Sequence, residues 1–353
     1  MPETVFVAMS GGLDSSAAAL LLVEQGLRVV GVTLRLYDSC GSPMARGCCA
    51  LEDVADARAV AEHLGIEHRI LDYQAPFERE VIVPFVEAYA AGRTPNPCIL
   101  CNERVKFGAL WDYALANGAD RLATGHHARL VEEGGRVDLR RAADLEKDQS
   151  YVLFSLTLDQ RRRLLFPAGS MVKADLRAKA RAAGLPTADK RESQDICFVS
   201  EGSYADFVEK RLPGVREGVV RHVDGRVLGR HGGVHRFTVG QRQGIGVPFS
   251  EPLYVVSIDA GIAEVVVGPR SALSTWAFRV EGWNWHLQEC ERPPEAEVQV
   301  RYGQKPVPAR FVESPEGLVI EWAASPQCVT PGQAAVAYRG DTVIGGGWIL
   351  RDR

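Results

Sequence analysis

A loop rich in glycine and serine follows the first apolar segment of the chain. It spans Ser10–Ser16 and reads SGGLDSS. Two adjacent glycines allow a sharp turn that points successive backbone N–H groups at one spot, and the serine hydroxyl groups add further donors. When such a loop opens a helix, the partial positive charge of the helix N-terminus also favours an anion. The pattern therefore predicts a pyrophosphate site, in which Asp14 either holds Mg²⁺ or fixes the loop.

The spacing of this loop disfavours two common nucleotide-binding classes. The loop has no lysine at the G-x-x-x-x-G-K-[ST] position, which disfavours kinases and GTPases of the Walker A type. It also lacks the G-x-G-x-x-G spacing of a dinucleotide-binding fold. The alternative interpretation of the same residues is a tight strand-to-helix turn with a capping serine.

Three cysteines form a second set of chemically active residues. Cys98 and Cys101 lie three positions apart in Thr94–Asn102 (TPNPCILCN), and Cys197 lies in a polar segment far along the chain. The prolines predict an extended approach to a helix that starts at Asn102. Both thiols of the pair would then lie near a helix N-terminus, which lowers the pKa of a thiol.

Such thiols permit sulfur transfer, because persulfide sulfur on one cysteine is released by the attack of another. The alternatives are half of a structural zinc site for the cysteine pair and simple packing for Cys197. Cys40, Cys48 and Cys49 follow the second predicted strand. We interpret them as unassigned thiols near the nucleotide, with a second metal site as the alternative.

Strands and helices alternate over the first two hundred residues. The predicted strands are Thr4–Ser10, Arg28–Tyr37, Glu67–Tyr73 and Asp120–Thr124, and the predicted helices are Leu13–Gln25, Leu51–Leu64, Phe77–Ala91, Asn102–Asn117 and Asp159–Ala183. This alternation predicts an α/β fold with a parallel sheet covered on both faces. Ligands bind such sheets at the C-terminal edge, so the loops after Ser10, Tyr37 and Thr124 should meet there.

The pattern changes after about residue 210 to short β-like runs separated by glycine, proline and aspartate. The runs include Gly218–Val223, Leu253–Ile258, Glu297–Arg301 and Ala334–Arg339. They predict small modules of the β-barrel type. We expect three domains: residues 1–205 as the catalytic α/β domain, residues 206–278 as a small central β-rich domain, and residues 279–353 as a C-terminal β-barrel-like domain.

Composition narrows the function classes further. The 353 residues include 45 acidic and 41 basic side chains, a formal charge of -4, so any nucleic-acid contact must be a local basic face. We interpret the arginine run Arg161–Arg163 as part of a solvent-exposed face. If the chain binds RNA, these arginines become candidate phosphate contacts. No apolar run approaches the length of a membrane helix, no secretory signal is visible, and eight cysteines are too few for a disulfide scaffold. These features predict a cytoplasmic protein with no membrane contact.

The SGGLDSS loop resembles the PP-loop of the N-type ATP pyrophosphatases, which cleave ATP between its α and β phosphates and adenylate a carbonyl oxygen. Further segments narrow the resemblance: TPNPCILCNERVKF (94–107), ATGHHAR (123–129), KDQSYVL (147–153), SQDICF (193–198), FTVGQRQG (237–244) and Val300–Tyr302. In this order they resemble the tRNA-specific 2-thiouridylases, the MnmA/TrmU family. The resemblance implies a Rossmann-like, adenine nucleotide alpha hydrolase-like PP-loop domain followed by two small, mainly β domains.

The same resemblance implies a chemistry and its partners. ATP, with Mg²⁺, would adenylate the C2 oxygen of the wobble uridine in tRNAs of the Lys, Glu and Gln type, releasing AMP and pyrophosphate. Sulfur would come from a cysteine desulfurase or a persulfide relay protein, and the enzyme would be a monomer. The implied ATP-binding residues are Ala8, Met9, Ser10, Gly11, Gly12, Leu13, Asp14 and Ser15 around the phosphates, with Leu34 and Gly125 on the adenine and ribose side.

The remaining implied roles concern sulfur and tRNA. Cys101 would be the nucleophile nearest the base and Cys197 the persulfide carrier, with Asp14 and Cys98 as further catalytic residues. The implied tRNA contacts are Asn96, Pro97 and Cys98 at the flipped uridine, and Lys147, Asp148, Gln149, Arg301 and Tyr302 elsewhere. For His126 and His127 we favour a structural role in a turn over a catalytic one.

Cys98 departs from the pattern of many members, which have aspartate at this position. A thiol cannot act as a carboxylate base with a pKa of ~4. It does add a third cysteine to Cys101 and Cys197, and three thiolates can hold a [4Fe–4S] cluster with one open iron. The sequence therefore leaves a persulfide relay and a cluster as alternatives.

Two other functions also stay open on the sequence. The first is a PP-loop ligase that amidates or condenses a small metabolite, similar to argininosuccinate synthetase, and such an enzyme would need neither Cys101 nor Cys197. The second is a zinc-stabilised RNA-binding protein without ATP chemistry.

Overall fold

A computed structural model of the chain describes residues 2–37, 51–191, 196–199 and 202–350. The chain divides into two compact units. The first comprises Met1–Val81, Cys98–Glu201 and Asp341–Val343, and the second comprises Ile82–Pro97, Gly202–Gly340 and Ile344–Arg353. Cys40, Cys48 and Cys49 lie outside the described residues.

The first unit alternates strands and helices in the order that the sequence predicts. Its strands are β1 (Thr4–Ala8), β2 (Arg28–Arg35), β3 (Glu67–Asp72), β4 (Arg121–Thr124), β5 (Ala128–Glu133), β6 (Arg136–Arg141) and β7 (Leu164–Leu165). Its α-helices are α1 (Leu13–Glu24), α2 (Leu51–Leu64) and α3 (Gln74–Phe77), then α5 (Pro97–Leu100), α6 (Leu110–Ala116), α7 (Leu158–Arg163) and α8 (Lys173–Ala182), while α4 (Val83–Ala90) belongs to the second unit. Two π-helical segments occupy Glu78–Ile82 and Cys101–Ala109, and short 3₁₀ helices occupy Ser150–Leu153 and Pro167–Ser170.

Within the described residues, the first unit contains a parallel sheet of five strands in the order β3–β2–β1–β4–β7. Val5 and Val7 of β1 face a core shared with α1, α2 and α8. Phe6, which points the other way, contacts Tyr113 of α6 with ring centroids 6.5 Å apart. Side chains of β1 therefore pack against helices on both faces of the sheet, which confirms the predicted α/β architecture.

The cysteine-bearing helix differs from the prediction. Helical structure begins at Pro97 rather than Asn102, because proline fits the first turn of a helix, where its missing N–H has no partner in any case. The segment Cys101–Ala109 is a π-helix that continues into α6. A Cβ at Gly108 would lie 3.0 Å from the carbonyl oxygen of Glu103, five residues earlier, so this π-helical turn leaves little room for a side chain at position 108. The expected extended approach ending at Asn102 is wrong.

One further expectation for the first unit is corrected, and one element of this unit was missed. The stretch Asp159–Ala183 is not one helix, since α7, β7, a 3₁₀ turn and α8 occupy it in succession. The antiparallel hairpin of β5 and β6 was not predicted, and its strand β6 also pairs with Thr342 through Arg140. The turn at Gly134 and Gly135, both with positive φ, closes this hairpin.

The second unit is mainly β, as predicted. Besides α4 it contains the helix α9 (Tyr204–Glu209) and the strands β8 (Gly218–His222), β9 (Val227–His231), β10 (Tyr254–Asp259), β11 (Glu264–Gly268), β12 (Ser274–Thr275), β13 (Ala277–Trp285), β14 (Glu295–Gln299), β15 (Val307–Ser314), β16 (Gly317–Trp322), β17 (Gln327–Cys328), β18 (Ala334–Arg339) and β19 (Thr342–Ile349). In its described part, β10–β11–β8–β9 form one sheet over a core that includes Val220 and Val265.

The C-terminal strands of this unit close into a barrel. Among the described residues, the strand order is β13–β16–β15–β14–β18–β19, and β19 pairs again with β13 between Val280 and Ile349. Phe278, Ile320 and Val298 are among the buried side chains that fill it. Closure removes exposed strand edges, as is typical of small antiparallel barrels. No helix in the described part of the chain is long and apolar enough to cross a membrane.

Candidate nucleotide and cysteine site

The SGGLDSS loop joins the end of β1 to the start of α1. Gly11 has a φ of +69°, and a Cβ there would lie 2.1 Å from the carbonyl oxygen of Asp53. The turn therefore requires glycine for its backbone conformation and for space. The Ser15 hydroxyl accepts a hydrogen bond from the backbone N–H of Ser10 at 3.1 Å and donates one to the carbonyl oxygen of Gly12 at 3.2 Å. These bonds hold the loop closed at the N-terminus of α1.

Asp14 is fixed by two basic side chains. Its Oδ1 accepts a hydrogen bond from Nε2 of His127 at 3.0 Å and forms an ion pair with Nζ of Lys173. Burial raises the pKa of Asp14, but the hydrogen bonds from His127 and Lys173 outweigh burial and hold this pKa below its ordinary value. The carboxylate is therefore ionised at neutral pH.

A cavity of about 230 Å³ opens beside this loop, at the C-terminal edge of the sheet. Seven of the predicted ATP-binding residues line it, namely Ala8, Met9, Ser10, Asp14, Ser15, Leu34 and Gly125. Gly11 and Gly12 belong to the turn itself, and Leu13 is buried in the core of the unit. The loops that follow β1 and β4 thus meet where the sequence predicts, while the loop after Tyr37 lies outside the described residues.

The cavity fits a nucleotide with Mg²⁺. Mg²⁺ in nucleotide sites is usually held by one or two carboxylates together with phosphate oxygens and water. Asp14 lines the cavity, and its Oδ2 makes no hydrogen bond to another described residue. This oxygen and the phosphates of ATP would be the ligands of the ion.

Gly125 places the end of β4 directly against the loop. A Cβ at Gly125 would lie 2.6 Å from the carbonyl carbon of Asp14 and from the backbone nitrogen of Ser15. No other residue type fits here without moving the loop. The sequence signal for this role is the glycine that follows Thr124 in ATGHHAR.

The helix that carries the cysteines also reaches the nucleotide cavity. Lys106, in the same π-helical segment as Cys101, lines that cavity. Its neighbour Phe107 packs against His126, with ring centroids 5.8 Å apart. Burial lowers the pKa of His126 well below its ordinary value, so this ring is neutral at neutral pH. Its Nδ1 lies 2.6 Å from the Thr124 hydroxyl, which fixes the ring in the cavity wall.

The three cysteines differ in exposure. Cys98 is exposed in the first turn of the helix, Cys101 is buried with 9% of its surface exposed, and Cys197 is half-buried. Phe198, next to Cys197, packs edge-on against Phe77 at 5.7 Å. The helix of Phe77, α3, in turn packs against the π-helix of Cys101. Packing therefore ties the segment of Cys197 to the helix of Cys101 within the first unit.

The described residues contain no ready-made site for a single metal ion. In the ranges that the structure describes, no three His, Cys, Asp or Glu side chains lie close enough together to hold one metal ion. Cys98, Cys101 and Cys197 all fall within those ranges. Because each thiolate of a [4Fe–4S] cluster binds a different iron, this finding does not bear on the cluster, and the persulfide relay and the cluster stay alternative predictions.

The predicted tRNA-contact segment Lys147–Gln149 is held inside the first unit. The Asp148 carboxylate accepts hydrogen bonds from the backbone N–H groups of Ala142 and Ser150 at 3.0 and 3.1 Å. Gln149 accepts a hydrogen bond from the backbone N–H of His127 at 2.9 Å and lines the nucleotide cavity. These placements favour a positioning role for Asp148 and a nucleotide-side role for Gln149.

Four of the other predicted tRNA contacts, Asn96, Pro97, Arg301 and Tyr302, belong to the second unit, while Cys98 belongs to the first. Asn96 is half-buried and Pro97 is buried, while Tyr302 is 49% exposed. Nη2 of Arg301 donates a hydrogen bond to the Thr330 hydroxyl at 3.0 Å. A Cβ at Gly240, in the FTVGQRQG segment, would lie 3.5 Å from the same nitrogen. The structure therefore brings two of the family-like segments together in this unit.

Sequence reasoning missed several residues in and beside the cavity. Lys106 and Thr124 line the cavity, and Lys173 contacts Asp14, but the sequence predicts no role for these three. His127, for which the sequence favours a structural role, also contacts Asp14. The histidine pair was visible as a signal in ATGHHAR. Nothing in the sequence near Lys173 indicates that α8 directs it at a loop 159 positions earlier.

Comparison with known proteins agrees with this geometry. Family models match consecutive parts of the chain: a tRNA methyl transferase HUP domain at residues 3–201, a tRNA methyl transferase PRC-barrel domain at 205–269 and an Aminomethyltransferase beta-barrel domain at 275–349. The tRNA-specific 2-thiouridylase MnmA of Parvibaculum lavamentivorans is 48% identical over 361 residues, covering 98% of this chain and 90% of the relative. The chain belongs to the MnmA family.

Other MnmA proteins match to a similar extent. That of Rhizorhabdus wittichii is 49% identical over 350 residues, covering 98% of this chain and 91% of the relative. That of Heliobacterium modesticaldum is 44% identical over 360 residues, covering 100% and 94%. Membership of the MnmA family confirms the resemblance and the predicted order of a PP-loop domain and two β domains. The boundaries at 205/206 and 278/279 stay predictions.

Proposed function

We propose that this protein is an ATP-dependent tRNA 2-thiouridylase, which replaces the C2 oxygen of a uridine in tRNA by sulfur. The observation that carries the proposal is the helix shared by Cys101 and Lys106. Five residues span at most ~8 Å of helix axis, so a thiol lies close to the nucleotide cavity. A ligase that amidates a metabolite needs no cysteine there. Two family-model descriptions mention methyl transfer, but a loop built for ATP phosphates favours the thiolation named in the relatives.

The first step in this proposal is adenylation. The C2 oxygen of the uridine attacks the α-phosphorus of ATP, and pyrophosphate leaves, so that AMP becomes the leaving group on C2. The backbone N–H groups of the SGGLDSS loop and the N-terminus of α1 hold the phosphates. Lys173 and His127 keep Asp14 ionised and in place. Bound Mg²⁺ would neutralise charge that develops on the phosphate oxygens.

The second step is sulfur transfer. The terminal sulfur of a persulfide on Cys197 attacks C2, the C2–O bond breaks, and AMP leaves. The Cys101 thiolate then attacks Sγ of Cys197, which releases 2-thiouridine and forms a Cys101–Cys197 disulfide. An external thiol must reduce this disulfide with two electrons before the next turnover. A cysteine desulfurase or a persulfide relay protein is the proposed sulfur donor.

The substrate must present an accessible base. A uridine stacked in an RNA helix cannot expose C2, so the base must leave its stack before adenylation. Single-stranded loops offer such bases, and we propose the wobble uridine of Lys-, Glu- and Gln-type tRNAs as the target. Asn96, Pro97 and Cys98 would face the flipped base, and Arg301 and Tyr302 would contact tRNA elsewhere.

The test is thiolation of tRNA in vitro with protein purified without oxygen, together with iron and sulfide analysis. Cys101→Ser and Cys197→Ser should each abolish 2-thiouridine formation while ATP-dependent pyrophosphate release continues. Cys290→Ser is the matched control, because Cys290 is an exposed cysteine on the second unit. Full thiolation by both serine variants would contradict the sulfur relay, and thiolation that requires bound iron would replace it by the cluster. Absence of any thiolation with ATP and a sulfur donor would contradict the proposed function itself.

A further inference from the structure

A second cavity, of about 240 Å³, lies in the first unit. Residues at the end of α1, at the start of β4, on β5 and on α7 line it. Arg121 opens β4 and lines this cavity, whereas Thr124 ends the same strand and lines the nucleotide cavity. Three residues of β-strand span ~10 Å, so the two cavities lie at opposite ends of β4.

Four guanidinium groups line this second cavity, those of Arg121, Arg129, Arg161 and Arg162. Two of them have carboxylate partners elsewhere in the unit. Arg121 pairs with Glu3 at 2.7 Å, and Arg129 pairs with Asp341 at 2.7 Å.

The other two guanidinium groups form no ion pair with a described carboxylate. Among the described residues, no carboxylate oxygen lies within 4 Å of Arg161 or Arg162. The lining includes one carboxylate, that of Glu132, which is exposed at the rim. The cavity therefore carries an excess of positive charge.

Arg161 is the residue that makes this excess unusual. Only 4% of its surface is exposed, and Nη1 donates a hydrogen bond to the carbonyl oxygen of Val137 at 2.6 Å. Its Nε is buried and has no hydrogen-bond partner among the described residues. Burial lowers the pKa of Arg161 to about 10, which still leaves the side chain charged at neutral pH. A buried charge without a carboxylate at ion-pair distance is unfavourable. The charge of Asp138 offsets part of this cost, and an anion in the cavity would compensate the rest.

We propose that this cavity is a second anion site, which binds a phosphate group. Guanidinium groups bind phosphate oxygens through paired N–H donors, and here they approach from β4, β5 and α7, which suits a tetrahedral anion more than a planar carboxylate. The group can be a phosphate of an RNA backbone or free phosphate, since both present the same oxygens. The proposal does not depend on the cysteine or nucleotide chemistry.

The first experiment uses inorganic phosphate as the probe. Thermal unfolding of the full chain is followed at constant ionic strength while phosphate replaces chloride. Phosphate should raise Tm of the wild type, and Arg161→Met should lose at least half of that rise. Arg163→Met is the matched control, because Arg163 is an exposed neighbour outside the cavity lining, and it should keep the full rise. The nucleotide cavity is unchanged in all three proteins, so its own phosphate affinity cancels.

The second experiment distinguishes the source of the phosphate. The affinity for tRNA is measured from low to moderate salt for the same proteins. If an RNA phosphate fills the cavity, Arg161→Met should reduce the slope of log K against log salt by ~0.7–0.9, the value for one lost phosphate contact. If free phosphate is the ligand, only the thermal shift should change.

Two results would overturn the proposal. One is an Arg161→Met protein whose phosphate-induced Tm rise and salt slope both equal those of the wild type. If this variant does not fold, Arg162→Gln replaces it, because Arg162 is exposed and its loss leaves the core intact. This variant should weaken phosphate or tRNA binding about threefold, and unchanged values in both assays would be the second contradicting result.

Discussion

Replacing Gly125 by alanine should damage nucleotide binding through a steric effect that the structure quantifies. The new Cβ would start 2.6 Å from the Asp14 carbonyl carbon and the Ser15 nitrogen, whereas ordinary contact begins at 3.4 Å, so the loop must move by about 0.8 Å. Overpacking of this kind costs ~1–3 kcal/mol. Because the displaced atoms include N–H groups that point at the phosphates, we expect the affinity for α,β-methylene ATP to fall by ~10- to 100-fold.

The measurement is isothermal titration calorimetry with this ATP analogue and Mg²⁺, accompanied by thermal unfolding of each protein. Gly214→Ala is the matched control, because a Cβ at Gly214 meets nothing within 4 Å and Gly214 has no positive φ. The control should bind the analogue like the wild type. If Gly125→Ala also binds like the wild type while folded, the loop yields to the methyl group, and the argument that Gly125 fixes the phosphate site is refuted.

Three further predictions follow from the same unit. Lys173→Met should weaken binding of the ATP analogue by about tenfold, because Asp14 loses its ion pair. Lys179→Met on the same helix is the control and should leave the affinity unchanged, because its partner Glu24 lies on the surface. Equal affinities of the two variants in calorimetry would contradict this prediction. Burial lowers the pKa of His126, so the stability that the neutral ring contributes should be fully present above pH ~6.5 and should fall as the pH drops below it. His126→Gln should reduce this loss of Tm between pH 7.5 and 5.5, and an unchanged loss would refute the argument. Asn102→Ala should lower stability by ~1–3 kcal/mol in urea unfolding, because the buried carbonyl of Val152 loses its donor at 3.1 Å; a change near zero would show that this bond contributes nothing.

The parts of the fold that local patterns determine were predictable. The strand β1 and the helix α2 appear where alternation and helical periodicity place them, because each buries a continuous apolar face. The C-terminal β runs were found for the same reason, helped by turn residues between them. The loop that lines the nucleotide cavity was found from the glycine and serine spacing alone.

The parts that depend on distant contacts were not predictable. The hairpin of β5 and β6 has mostly charged outer positions, so the sequence of its strands shows only weak β periodicity. The pairing of Arg140 with Thr342 involves a residue about two hundred positions away, which no local pattern indicates. The start of the cysteine helix at Pro97 was missed because proline fits both an extended segment and a first helical turn. Likewise, Lys173 reaches Asp14 through packing of α8 on α1, which no local pattern encodes.

The π-helical segment Cys101–Ala109 has a consequence for how the two halves of the chemistry are aligned. A π-helix hydrogen-bonds residue i to residue i+5, so residues five apart stack along one side of its axis, whereas an α-helix stacks residues four apart. Cys101 and Lys106 are five apart, so the wider winding places both residues on the same side of the helix axis. If this segment tightened to α-helical pitch with its sequence unchanged, residues five apart would lie about 140° apart around the axis, and the lysine would rotate away from the thiol's side although every functional side chain remained in the chain.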